Sequence, residues 1–199
     1  SFFGSEREII PASLSKILTS YYALKILGED FRFKTTLKMT GKIINGTLVG
    51  NLYLIGNGDP LLSNSDLIGL VLSLKEKGIY KVSGHFYYDA RKYPTIQKIS
   101  NIGLGDQTYN PGVSALSLEF NRFTIWRGGH KFKSIKSSFT PIPQIPYLQV
   151  KKVSKNFTPG MRFQYAEDSN EIWKVSNYQR YKVIEEVPIR KPAKYVSET

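Results

Sequence analysis

The stretch that decides the first element of the fold is "IIPASLSKILTSYYALKILGEDFRF", residues 9–33. Pro11 and Ala12 lead into it, and Gly28 follows its last apolar residue, as a C-terminal cap does. Between them, apolar side chains recur at helical spacing and form one stripe: Leu14, Ile17, Leu18, Tyr21 and Leu24. The pattern predicts a helix over residues 12–27.

Ser13 and Lys16 lie three positions apart at the start of this helix and so share one face. A helix N-terminus has unpaired N–H groups and a positive dipole end, which would stabilise an oxyanion. A serine is a poor nucleophile without a base, and a lysine one turn on can be that base. The alternative is that Ser13 caps the helix and Lys16 is a solvated side chain. From these residues alone both interpretations stay open.

The rest of the chain alternates strand patterns with one more helix. Residues 31–56 are rich in β-branched side chains, and Asn45-Gly46 between them predicts a hairpin. A helix is predicted over 66–77, preceded by "SNSD" and ended by Gly78. A strand is predicted in "IYKVSGHFYYD" (79–89), a long strand or strand pair in 114–129, and a hairpin in 161–178. This order predicts an α+β fold.

One hydrophobic core is expected within residues 31–187. Its predicted members are Phe33, Leu37, Leu48, Leu52, Leu54, Leu70, Leu74, Phe86, Leu116, Leu118 and Phe123. The 199 residues are enough for one sizeable domain, or for one domain with part of another.

Composition excludes several kinds of site. The chain has no cysteine, so disulfides and thiolate metal sites are absent. Its two histidines, His85 and His130, sit beside no motif that would position them, so no metal, cofactor or Ser-His-Asp triad is expected. No apolar run is long enough for a transmembrane segment.

The net charge is +12, and it is unevenly distributed. From Arg127 to Lys155 there are seven Lys or Arg and no Asp or Glu. Such a stretch favours an anionic partner, unless it is only a solvated basic face. Nucleic acid is not an expected partner because no recognised nucleic-acid-binding module is present.

The longer context of Ser13 resembles the penicillin-binding D-alanyl-D-alanine carboxypeptidase/endopeptidase family of low-molecular-mass class C. "PASLSKILTSYYALKILGEDFRFKTTL" is similar to its Pro-Ala-Ser-x-x-Lys helix, Leu-Gly and Thr-Thr strand. The likeness continues through "INGTLVGNLYLIGNGDPLL", "GIYKVSGHFYYDARKY", "NPGVSALSLEFNRF" and "VPIRKPAKYV". It therefore covers nearly the whole chain.

The resemblance implies a partial β-lactamase/transpeptidase-like domain with a large inserted α+β domain. Residues 1–28 would belong to the catalytic domain, 29–187 to the insertion, and 188–199 to the start of the return. It further implies a periplasmic or otherwise extracytoplasmic enzyme that acts on peptidoglycan stem peptides and is acylated by β-lactam inhibitors. Ser13 would be the nucleophile and Lys16 its base.

The sequence departs from the family pattern in the other two active-site motifs. It contains no Lys-Thr-Gly, and its one Ser-x-Asn, Ser154-Lys155-Asn156, runs into "FTPG" instead of opening a helix. We expect these motifs to be lost by truncation, carried by a second chain as partner, or absent from a decayed gene. The alternative to an enzyme is a non-catalytic fragment or pseudoenzyme that binds cell wall or a partner.

Overall fold

The structure is a computed structural model, and the fold is described for most of the chain. The described residues are 10–102, 105–128, 138–154, 157, 163–166, 169–176 and 184–199. They divide into two compact units, with unit 1 ending at Phe33 and unit 2 running from Lys34 to Thr199. Helices and strands both contribute, so the α+β prediction is confirmed.

Unit 1 contains one helix in its described part. A 3-10 turn, Ala12–Leu14, leads directly into helix α1, Ser15–Leu27. Gly28 ends α1 with a φ of 84°, a conformation that glycine adopts without steric cost. The helix predicted over 12–27 is therefore confirmed. None of its residues is buried, and Leu18 on the apolar stripe is 63% exposed.

Unit 2 contains the other elements. Its helices are α2 (Asn64–Glu76) and α3 (Pro192–Glu198). Its strands are β1 (Thr36–Met39), β2 (Lys42–Ile44), β3 (Thr47–Val49), β4 (Leu52–Ile55), β5 (Lys81–Val82), β6 (Phe86–Asp89), β7 (Arg122–Gly128), β8 (Ser138–Ile142), β9 (Leu148–Val153), β10 (Phe163–Ala166), β11 (Glu171–Ser176) and β12 (Ile184–Pro188). A 3-10 turn, Glu119–Asn121, precedes β7.

Within the described ranges the strands form four three-stranded sheets. Their orders are β1-β4-β6, β2-β3-β5, β12-β7-β8 and β10-β11-β9. The predicted hairpins at Asn45-Gly46 and over 161–178 are confirmed as the antiparallel pairs β2–β3 and β10–β11. Helix α2 begins two residues before the predicted start because Ser63 is its N-cap.

The single strand predicted over 79–89 is wrong, because β5 and β6 belong to different sheets. The chain turns between them at Gly84, whose N–H donates to the Gly50 carbonyl at 3.1 Å. A Cβ on Gly84 would lie 2.3 Å from that oxygen, so only glycine fits this crossing. In 114–129 only β7 is a strand, because Glu119, Phe120 and Asn121 all have positive φ and break extension.

Six of the residues predicted to form the core are buried in unit 2, which confirms the prediction for them. Leu48, Leu52, Leu54, Leu116, Leu118 and Phe123 are buried. Leu37 and Leu70 pack against the core partly buried, and Leu74 is also half-buried. The prediction that Phe33 belongs to this core is wrong, since its side chain is 45% exposed and it lies in unit 1. Phe86 is also wrong: β6 is an edge strand of its sheet, and its side chain remains 48% exposed.

Residues close to the C-terminus complete this core. Val187, Ile189, Tyr195 and Val196 are buried in the same cluster as Trp173, which is fully buried. Unit 2 therefore begins at Lys34, and residues 188–199 pack within it.

Candidate active site

Ser13 and Lys16 are brought together at the start of α1. Ser13 lies in the 3-10 turn that precedes the helix, and Lys16 is the second residue of the helix. The Lys16 Nζ donates a hydrogen bond to the Ser13 Oγ at 3.0 Å. A hydroxyl in contact with an amine is the arrangement that nucleophilic catalysis by serine requires.

The turn that presents Ser13 is held by local hydrogen bonds. Ala12, immediately before it, has a φ of 45°, a conformation that a non-glycine residue adopts only when its surroundings enforce it. The Leu14 N–H donates to the Pro11 carbonyl at 2.9 Å, and the Ser15 Oγ donates to the Ala12 carbonyl at 2.8 Å. Ser15 thereby stabilises the turn that carries Ser13.

Ser13 is not a helix cap in this structure. The N-cap positions are Pro11 for the 3-10 turn and Leu14 for α1, and neither helix start has a side-chain capping bond. The Ser13 hydroxyl is engaged by Lys16 instead. The structure therefore does not show Ser13 as a cap, whereas Lys16 is exposed, as the alternative interpretation expects.

The other candidate residues are described only in part. His85 belongs to unit 2, where its ring lies 5.8 Å from the ring of Tyr87. His130, Lys155 and Asn156 lie outside the described residues, as does the middle of the basic stretch, 129–137. In the described part of the chain no three His, Asp or Glu side chains cluster as metal ligands would.

A cleft of about 780 Å³ in unit 2 is the other place where charged side chains meet. Its lining includes Arg91, Arg190 and Lys194. Arg91 forms an ion pair with Asp89 at 2.8 Å, and Arg190 one with Asp106 at 2.6 Å. Lys194 lies 4.8 Å from the ring centroid of Tyr147. Each arginine is thus paired with a carboxylate, whereas Lys194 contacts a neutral ring.

Sequence reasoning missed the buried polar network around Arg190. Its side chain is 1% exposed and donates to the backbone carbonyls of Gln97 and Gly105, each at 3.2 Å, and to that of Asn110. Its guanidinium also lies 5.4 Å from the Trp173 ring centroid. The one available signal was an arginine inside the apolar run "VPIRKPAKYV". The network therefore has a structural role within unit 2.

Glu171 is the second member of this network. Its carboxylate accepts hydrogen bonds from the backbone N–H groups of Arg190 (2.7 Å) and Lys191 (3.1 Å) and from the indole of Trp173 (3.1 Å). Burial raises the pKa of Glu171, and these donors oppose that rise. Both carboxylate oxygens of Glu171 thus accept hydrogen bonds from within the chain, which suits a structural role.

With its α+β fold and its Ser13–Lys16 pair, the chain is a candidate serine hydrolase of the Ser-x-x-Lys kind. The chain belongs to the D-Ala-D-Ala carboxypeptidase 3 (S13) family, whose sequence profile matches residues 4–160. The resemblance found in the sequence is therefore confirmed.

Two curated relatives show the same family relationship. The chain is 40% identical over 121 residues to the D-alanyl-D-alanine carboxypeptidase DacB of Haemophilus influenzae. It is 30% identical over 113 residues to the D-alanyl-D-alanine carboxypeptidase of Actinomadura sp. strain R39. The matches cover 58% and 56% of this chain, but 24% and 21% of the relatives.

Solved structures agree with the fold. The crystal structure of penicillin binding protein 4 (dacB) from Haemophilus influenzae superimposes with a TM-score of 0.76 at 25% identity, covering 95% of this chain and 44% of that one. The same protein complexed with a novel β-lactam gives a TM-score of 0.69. The chain thus spans less than half of that protein. No described helix is long and apolar enough to cross a bilayer.

Proposed function

We propose that Ser13 is the acylated nucleophile of a D-Ala-D-Ala carboxypeptidase that acts on peptidoglycan stem peptides outside the cytoplasm. The observation that carries the proposal is the 3.0 Å hydrogen bond between the Lys16 Nζ and the Ser13 Oγ at a helix start that has no side-chain cap. Membership of the family supports the substrate class. Endopeptidase cleavage of cross-links would use the same chemistry on a different amine.

The proposed reaction begins with transfer of the Ser13 hydroxyl proton to Lys16. The Oγ then attacks the carbonyl carbon of the penultimate D-Ala, the C–N bond to the terminal D-Ala breaks, and Lys16 returns its proton to the leaving amine. Water hydrolyses the resulting ester and frees Ser13. A β-lactam would acylate Ser13 in the same way, with its amine still attached.

The proposed catalytic centre needs more than this pair. The backbone N–H of Ser13 would supply one oxyanion donor, and the groups of Ser-x-Asn and Lys-Thr-Gly would complete the site. Neither motif occurs in a suitable context in these 199 residues. Loss of one oxyanion donor typically costs about 100- to 1000-fold in rate. We therefore expect the isolated chain to be acylated poorly.

We further propose that the helix bearing Ser13 belongs to the catalytic domain and that residues 29–187 form the insertion. The separate packing of unit 2 from Lys34 onward supports the first boundary of this insertion, whereas buried Ile189, Tyr195 and Val196 extend its core past residue 187. The same observation favours a second candidate function: unit 2, with its own core, would act as a non-catalytic cell-wall- or partner-binding module if the remaining motifs are never supplied.

Labelling with a fluorescent penicillin, located by intact mass and peptide mapping, tests the proposal. We expect little labelling of the 199-residue chain alone. We expect stoichiometric labelling at Ser13 when a polypeptide with the Ser-x-Asn and Lys-Thr-Gly regions is added. Ser13→Ala should abolish labelling, and Lys16→Ala should slow it by roughly 100- to 10,000-fold.

Ser20→Ala is the matched control, because it removes another hydroxyl from the same helix. It should leave labelling unchanged. Labelling that persists in Ser13→Ala would overturn the assignment of the nucleophile. Strong labelling of the chain alone at Ser13 would show instead that the absent motifs are dispensable. No labelling with both parts present would favour the binding module.

A further inference from the structure

One face of the β1-β4-β6 sheet carries side chains that the proposed reaction does not use. Alternate residues of β4, Leu52 and Leu54, are buried on the side of the core. Tyr53 therefore points to the opposite face. It is paired with Lys38 of β1 on one side and with Tyr87 of β6 on the other. Paired residues share a face, so these three side chains form one row across the sheet.

The centre of this face, here called the tyrosine platform, is the pair Tyr53 and Tyr87. Their ring centroids are 5.4 Å apart and their planes differ by 21°, so the two rings are stacked on each other across the two strands. Tyr87 belongs to the edge strand β6 and is 46% exposed. An aromatic ring fixed by stacking on a rigid strand offers apolar surface at little entropic cost on binding.

Hydrogen-bonding groups surround the rings. The Asn51 Nδ2 lies 3.4 Å from the Tyr53 hydroxyl, and the Asn51 Oδ1 accepts from the backbone N–H of His85 at 2.9 Å. The His85 ring then lies 5.8 Å from that of Tyr87. An amide, two phenol hydroxyls and an imidazole thus border the apolar surface at fixed positions.

We propose that the tyrosine platform binds a neutral glycan of N-acetylated amino sugars, the carbohydrate strand of the same wall polymer. This proposal rests on the proposed function for the identity of the polymer. The C–H groups on one face of a pyranose ring pack against an aromatic ring face. The ring hydroxyls and acetamido groups of the sugar would meet the polar groups of Asn51, His85 and the two phenols.

The charges on this face favour a neutral ligand over a polyanion. Lys38 is the one cation in the central row. Asp89, one row further along β6, is neutralised by the two-point contact of Arg91 with its carboxylate, at 3.0 and 2.8 Å. A nucleic acid or an acidic polymer needs a track of several cations. A chain of uncharged sugars needs ring faces and hydrogen bonds, which the platform supplies.

The test is a calorimetric titration of the whole 199-residue chain with the β-1,4-linked hexamer of N-acetylglucosamine. We expect saturable binding, with Tyr87→Ala weakening the affinity by about tenfold. Tyr87→Phe keeps the ring face but removes one phenol hydroxyl, and should weaken the affinity by about threefold, less than Tyr87→Ala does. Tyr87→Leu keeps the apolar bulk but not the flat ring, and should lose affinity as Tyr87→Ala does. If Tyr87→Ala fails to fold, Tyr87→Leu replaces it as the test variant.

Tyr109→Ala is the matched control, because Tyr109 is 71% exposed and lies away from the platform in unit 2. Its affinity should stay within about twofold of the parent. Absence of saturable binding, equal losses in the Tyr109 and Tyr87 variants, or binding abolished by salt and competed by polyglutamate would each overturn the proposal. Ser13→Ala separates the two proposals, since it should abolish penicillin labelling while leaving the hexamer bound.

Discussion

Helices α1 and α2 are both thirteen residues long, but the chain specifies them in different ways. Helix α2 has a full capping box, in which Ser63 accepts from the Asp66 N–H and the Asp66 carboxylate accepts from the Ser63 N–H. It also packs Leu67 and Leu70 against the core of unit 2. Helix α1 has no side-chain cap and no buried residue.

The difference shows where each unit obtains its stability. A helix of this length is marginal in water without packing, so α2 is stabilised by the core that it joins. Helix α1 has no such packing in unit 1, and the Ser13–Lys16 hydrogen bond lies at its start. We therefore expect substitutions in unit 2 to change the free energy of unfolding far more than equivalent substitutions in unit 1.

The largest expected effect comes from separating the units. A fragment of residues 34–199 should unfold cooperatively, because it contains the whole described core cluster. A fragment of 34–187 should not fold, because it lacks buried Ile189, Arg190, Ala193, Tyr195 and Val196. Urea denaturation followed by circular dichroism and tryptophan fluorescence measures both. Cooperative unfolding of the shorter fragment would show that residues 188–199 are dispensable to unit 2.

The next effect is expected at Glu171. Glu171→Ala leaves the indole N–H of Trp173 and the backbone N–H groups of Arg190 and Lys191 without their acceptor. Each buried unsatisfied donor costs about 1–3 kcal/mol, so the free energy of unfolding should fall by roughly 4 kcal/mol. Glu198→Ala, at an exposed position, should change it by less than about 0.5 kcal/mol. Similar losses in the two variants would contradict the structural role.

Glu171 also predicts a pH dependence. Burial raises its pKa in the folded chain above the unfolded value, so the folded state takes up a proton at the higher pH. Its contribution to stability is therefore complete below the unfolded pKa and is lost as the pH rises through the raised folded pKa. Glu171→Gln cannot titrate. The unfolding free energy of the parent minus that of Glu171→Gln should grow as the pH is lowered through this window, and a constant difference would count against it.

A smaller effect compares an apolar side chain in the core of unit 2 with one on the exposed stripe of α1. Leu116 is fully buried, and Leu116→Ala should lower the free energy of unfolding by roughly 3 kcal/mol through lost packing and a cavity. Leu18 belongs to the exposed stripe of α1, and Leu18→Ala should change it by less than about 0.5 kcal/mol. Denaturant midpoints of the two variants give the comparison. A large loss for Leu18→Ala would show that the stripe is packed in solution.

The smallest effect concerns the two helix starts. Ser63→Ala removes the α2 cap and should cost about 1 kcal/mol. Ser13→Ala removes no cap and should be neutral to stability while removing acylation. Thermal unfolding of both variants measures this. If Ser13→Ala proved as destabilising as Ser63→Ala, Ser13 would have to be treated as a structural serine.

Local signals in the sequence predicted the elements whose geometry is decided locally. The Gly28 end of α1, the Asn45-Gly46 hairpin and the Ser-x-x-Lys contact depend on residues a few positions apart. Phe86 was misplaced in the core because an apolar strand pattern does not reveal which strand lies at an edge. Phe33 was misplaced because the pattern does not reveal that β1 begins only at Thr36, in the other unit. Arg190 and Glu171 were missed because their partners are distant in sequence, and an isolated charged residue gives no sign of burial.

The Arg190 contacts also set the order of events during synthesis. Its carbonyl partners, from Gln97 to Asn110, precede it by 80 to 93 residues. At a synthesis rate of 5–20 residues per second, they wait roughly 4 to 19 s for the guanidinium to be made. Unit 2 therefore cannot close from its N-terminal end as it emerges. Until residues 188–199 have been made, the core of unit 2 lacks the side chains that they contribute, and it stays open in the nascent chain.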